Sequence, residues 1–106
     1  MRKCLIGDLL EAAALVAAAP LPRQRALARQ LLDQAHVAHC YAKRYGRAHP
    51  RWGNGSLMAR ALAESGPRTG FGAGHPGFLA GLAVMALALS EWKSRNAPPL
   101  SVGFAI

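Results

Sequence analysis

The side chains of this chain that can do chemistry are mostly cations. Thirteen lysines and arginines face five acids among 106 residues, a formal charge of +8. The densest run is Lys43-Arg44-Tyr45-Gly46-Arg47-Ala48-His49-Pro50-Arg51-Trp52, with four cations, two large aromatics and no acid. Cations neutralise phosphates, and Tyr45 or Trp52 offers a face on which an exposed base can stack. Upstream, Arg25, Arg29, His36 and Lys43 fall in one row on a helical wheel, opposite an apolar stripe. At 1.5 Å per residue that row is about 27 Å long, enough to follow a phosphate backbone or an acidic partner. Arg25, Arg29, Lys43, Arg44, Arg47, Arg51 and Trp52 are therefore the candidate surface for non-specific DNA or for a protein partner. The competing reading is a solvated face and a loop whose Trp52 plugs the core. Gly53 and Gly55 beside it favour the plug.

Other constellations are weaker. His36, His39 and Cys40 have spacings that can converge on one metal from a helix. A structural zinc needs four ligands, and Cys4, His49 or His75 would have to supply the rest. Neither a Cys-x-x-Cys nor a His-Glu-x-x-His is present, so exposed imidazoles are expected, with no metal and no cofactor. Nothing in the sequence sets an oriented base beside Ser56, Ser65, Cys4 or Cys40. Gly53-Asn54-Gly55-Ser56 is not a nucleophile elbow. Its loop-then-helix pattern can hold one anion at a helix start, or Ser56 can simply cap that helix. With Asp8, Glu11, Asp33, Glu64 and Glu91 as the only carboxylate side chains, paired-acid chemistry is not indicated, and a non-enzymatic protein is expected. Two cysteines make no disulfide framework and read as free thiols of a reducing cytoplasm. Asp8 and Glu11 also interrupt the apolar stretch that a signal peptide needs.

The elements that must position these residues are helical. The length predicts one domain, residues 1–106, with 52% apolar residues to form one small core. Asp8, with Glu11 three residues on, predicts a capped first helix over about residues 9–19, ended by Pro20 and Pro22. A second helix runs from Arg23 to Tyr45. It has no internal Gly or Pro and an apolar stripe of Leu27, Leu31, Ala35, Ala38, Ala42 and Tyr45. Gly46 suits its left-handed terminator, and Lys43 and Arg44 suit its last turn. A short third helix spans 57–64, with Leu57, Met58, Ala61 and Leu62 on one face and a weak Arg60–Glu64 pair. After a glycine-rich loop, Pro76 opens a fourth helix reaching about Ser94.

The fourth helix is apolar on two sides. Phe78, Leu82, Met85, Leu89 and Trp92 make one stripe, and Ala80, Ala83, Val84 and Leu87 lie on the other side. Its uninterrupted apolar run, Gly77 to Leu89, is too short for the ~20 residues that span a bilayer. The same reasoning gives Gly77-x-x-x-Gly81 little weight as a membrane motif. A central bundle helix is expected. Part of the second side is expected to serve as a homodimer interface, or to be covered by the apolar tail 97–106, with Leu100, Val102, Phe104 and Ile106.

The tract Gly46-Arg-Ala-His-Pro-Arg-Trp-Gly-Asn-Gly-Ser-Leu-Met58 resembles a segment of short uncharacterised alphaproteobacterial proteins. The likeness takes in the Gly7-Asp8-Leu9 start and the arginine-rich opening of the second helix, roughly residues 5–65. It implies a link to gene transfer agents, the phage-like particles of these bacteria, and an accessory role in making or maturing them. It implies no catalytic residue. The expectation is thus an all-α bundle of about four helices, acting in the cytoplasm by binding DNA or a protein. An assembly protein that oligomerises through its last helix is the alternative.

Overall fold

The computed structural model describes residues 3–65 and 76–95. Among them are four helices, α1 (Ile6–Ala17), α2 (Leu21–Tyr45), α3 (Leu57–Ser65) and α4 (Pro76–Arg95), and no strand. The glycine-rich loop, the tail and the side chains of Glu64 and Ser65 lie outside the described residues.

The helix ends follow from residue chemistry. Pro20 is the N-cap of α2 and Pro22 sits in its first turn, where a missing N–H costs nothing. Gly46 closes α2 with φ +72°, and its N–H donates to the Ala42 carbonyl at 2.8 Å. Ser56 caps α3, its Oγ accepting from the Ala59 N–H at 3.0 Å.

Asp8 departs from the expected role. α1 begins at Ile6 rather than near residue 9, with Leu5 as N-cap and Asp8 inside the first turn. One Asp8 oxygen accepts the Leu5 N–H at 2.8 Å and the other accepts the Met58 N–H at 2.9 Å. The anion at the start of α3 is therefore this carboxylate, brought from α1, and it fills the place an external anion would take.

One core draws on all four helices: Ala12, Ala13 and Val16 of α1, Leu31, Leu32 and Ala35 of α2, Leu57 and Ala61 of α3, and Met85, Ala88 and Trp92 of α4. The predicted stripe of α2 is buried at Leu31, Ala35 and Ala38 but runs out at Tyr45, which is 54% exposed. The hub is α1, not α4. α1 and α2 each pack on the other three helices, α1 the most extensively, whereas among the described helices α4 packs on α1 and α2 alone. Small residues make this possible. A Cβ on Gly81 would lie 2.8 Å from Ala17 Cα and 2.9 Å from the Ala13 carbonyl oxygen. The small residues of α4 thus serve a close helix crossing inside the bundle.

The far side of α4 is left open. Leu79, Ala80, Ala83, Ala86 and Leu87 are exposed, while Val84 packs against the core. No described helix is long and apolar enough to cross a membrane.

Candidate nucleic-acid interface

The C-terminal end of α2 and the loop after it gather four rings. Tyr41 and Tyr45, one turn apart, have ring centres 4.6 Å apart. Tyr41 meets the His49 imidazole edge-on at 4.9 Å, and His49 stacks parallel on Trp52 at 4.8 Å with 7° between the planes. Arg44 lies 5.6 Å from the Tyr45 ring centre, within cation–π range.

The loop holds this geometry by its backbone. The N–H groups of Arg51 and Trp52 both donate to His49 Nδ1 at 3.1 Å. Nδ1 is therefore the acceptor nitrogen, and Nε2 carries the proton of the neutral ring. His49 and Gly53 exchange backbone hydrogen bonds of 2.8 and 3.2 Å. Two glycines seat the turn, because both have positive φ and a Cβ would collide with a neighbouring helix. Gly53, at φ +85°, lies against Ala59 of α3, and Gly55, at φ +102°, against His39 of α2.

Trp52 is half-buried and belongs to this ring cluster, not to the hydrophobic core. It is not the plug that its flanking glycines suggested. Those glycines fold the loop onto α2 and α3, and the indole comes to rest on His49 instead. Sequence reasoning missed Tyr41 and His49 as members of the site. The signals were present in the four-residue spacing of Tyr41 and Tyr45 and the three-residue spacing of His49 and Trp52.

The structure brings Lys43, Arg44, Arg47, Arg51 and Trp52 to one end of the molecule. All four cations are exposed, and none pairs with a carboxylate among the described residues. Arg25 and Arg29 are exposed in the opposite half of α2, about 28 Å and about 22 Å from Arg44 along the axis. Arg25 there meets Glu91 of α4 at 3.5 Å, with both side chains solvated, so the pair contributes little to stability. The predicted row is also broken in its middle. His36 lies edge-on to Trp92 of α4 at 5.3 Å, and Asp33 accepts the Trp92 Nε1–H at 3.1 Å. A shallow groove at the α1–α2 corner, lined by Arg23, Leu27 and Gln30 among others, is separate from the ring cluster.

The histidines and thiols divide in the same way. His36 Nε2 is 3.7 Å from Cys40 Sγ, while His39 lies under Gly55 on the loop side. Among the described residues no three His, Cys, Asp or Glu side chains gather to hold a metal. Cys4 and Cys40 are free thiols. Burial, with Asp8 nearby, pushes the Cys4 thiol up, away from the reactive thiolate. Burial also pulls His36 below its usual range. Its Nδ1 is buried with no hydrogen-bond partner among the described residues, which favours the neutral ring over the imidazolium.

The fold and the site define a small all-α bundle with a cationic, ring-bearing end. The chain belongs to the family described as Domain of unknown function (DUF7742), whose model matches residues 2–89. That span holds all of α1, α2 and α3 and most of α4, beyond the stretch that carries the resemblance noted above. No curated protein and no solved structure matches the chain.

Proposed function

We propose that this chain is a small non-enzymatic binding protein of the cytoplasm, and that nucleic acid, DNA first, is its ligand. The observation that carries the reading is the end of α2: four cations, with no carboxylate partner among the described residues, around four clustered rings. Cations supply affinity for phosphates whatever the sequence, and rings add contact to bases. The glycine-seated loop that holds Trp52 is the tract that resembles the alphaproteobacterial proteins. That coincidence supports an accessory role in producing or maturing phage-like gene transfer particles, where a small basic protein would touch packaged DNA or a capsid component. In an electrophoretic shift at low salt, duplex and single-stranded DNA are the probes. The wild-type protein retards DNA, and the Arg44→Ala, Arg47→Ala, Arg51→Ala triple variant does so weakly. A wild-type protein that shifts neither probe rejects the reading.

A second reading is favoured by one observation. The open face of α4, with Leu79 at 49% and Leu87 at 54% exposure beside exposed alanines, is a contiguous apolar surface. Such surfaces mark interfaces. Ala80, Ala83, Leu87 and the half-buried Val84 would then form the contact of a homodimer or larger assembly.

A further inference from the structure

We propose that the ligand of the ring-bearing end is single-stranded rather than duplex nucleic acid, with one unpaired base stacked on Trp52. The inference rests on the nucleic-acid reading above and narrows it. A duplex offers phosphates at its surface but keeps its base faces inside the stack, so cations alone would serve to bind it. Only an unpaired base presents a whole face to an aromatic ring.

The surface is built for that second kind of contact. Trp52 already lies parallel to His49, at 4.8 Å and 7°. A base on the other side of the indole adds one layer to an existing stack. The indole is not committed elsewhere: it does not pack into the core, and its Nε1–H has no acceptor among the described residues. It is also held in advance. His49 is fixed by the two N–H groups it accepts, and Gly53 and Gly55 seat the loop on α3 and α2. A ring positioned before binding loses little freedom when the base arrives. Arg51 adjoins Trp52 in the chain and Arg47 precedes His49 by two residues, so phosphates flanking the stacked base find cations close by. Tyr45, half-exposed with Arg44 against its ring, offers a second stacking face at the other end of the cluster.

The test measures fluorescence anisotropy of a labelled oligothymidylate of about twelve nucleotides, within the ~4–16 of one small binding site. The same strand annealed to its complement is the second probe, in the same buffer. The single strand binds at least about tenfold tighter than the duplex. Trp52→Ala weakens single-strand binding by about tenfold and leaves duplex binding nearly unchanged, while Trp52→Phe keeps most of the affinity. Intrinsic fluorescence of the unaltered protein gives a readout that does not depend on how a variant folds. Saturating oligothymidylate quenches the emission of Trp52, whereas Trp92 is buried and contributes a constant background. Duplex binding equal to or tighter than single-strand binding overturns the inference while leaving the nucleic-acid reading standing. So does single-strand binding with no quenching. If neither probe binds at low salt, the nucleic-acid reading fails, and this inference with it.

Discussion

Asp8 is buried, and both of its carboxylate oxygens are in use, one within α1 and one on the first turn of α3. Asp8→Ala leaves the Leu5 and Met58 N–H groups without those acceptors. It is expected to cost about 1–3 kcal/mol, read as a lower urea midpoint with unchanged slope. Asp8→Asn keeps one acceptor oxygen and falls between. The sequence pattern of Asp8 and Glu11 reads as a local cap, and only that much was legible, because the partner at Met58 lies fifty residues away. His36 gives a prediction with a sign. Its folded pKa lies below the usual 6.5, mainly because of burial. As pH falls below 6.5 the unfolded chain takes up the proton first, so stability drops until the folded pKa is passed. Above 6.5 the group contributes no pH dependence. The thermal midpoint should therefore fall between neutral and mildly acid pH, and the fall should be smaller in His36→Gln. An identical fall in both proteins would exclude His36 as its source.

At the scale of elements, the helix boundaries were legible because proline, glycine and serine act locally. Pro20, Gly46, Ser56 and Pro76 stand at helix ends for reasons their own backbones supply. Packing was less legible. The alanine tract of α1 carries a weak apolar signal in sequence, yet it forms the hub, since small side chains let α4 come close. Gly81 is the sharpest case. Alanine is intrinsically the better helix former by about 1 kcal/mol, but its Cβ would sit within 3 Å of α1 backbone atoms. Gly81→Ala should be net destabilising by about 1–3 kcal/mol, measured by chemical unfolding. A stabilised variant would show that α1 and α4 can separate without loss. The stretches His49-Pro50-Arg51-Trp52 and His75-Pro76-Gly77-Phe78 both place a His-Pro pair two residues before an aromatic, yet the two aromatics end in different surroundings. Trp52 lies in the outer ring cluster, whereas Phe78 is buried in the core. The difference is one of context, a glycine-seated loop in the first case and a helix start in the second.

At the scale of the whole molecule, charge and apolar surface are separated. The end of α2 carries cations that pair with no carboxylate among the described residues, and α4 from Pro76 to Ser90 carries no charge at all. If the chain assembles through α4, light scattering on the full-length protein gives a dimer mass, and Leu87→Glu gives a monomer mass. Monomers in both would remove the assembly reading and leave the nucleic-acid one intact. The cationic end was legible as composition. Its site was not, because pairing of Arg25 with Glu91 and of His36 with Trp92 depends on how α4 crosses α2. The most direct test of the account is the salt dependence of DNA affinity, plotted as log K against log salt, in three proteins. Replacing Arg44, Arg47 and Arg51 with alanine should flatten the slope by about two to three, at about 0.7–0.9 per phosphate contact. Replacing Arg25 and Arg29, at the far end of α2, should leave the slope of the wild type. Equal flattening by both sets, or a slope unmoved by the first, would contradict it.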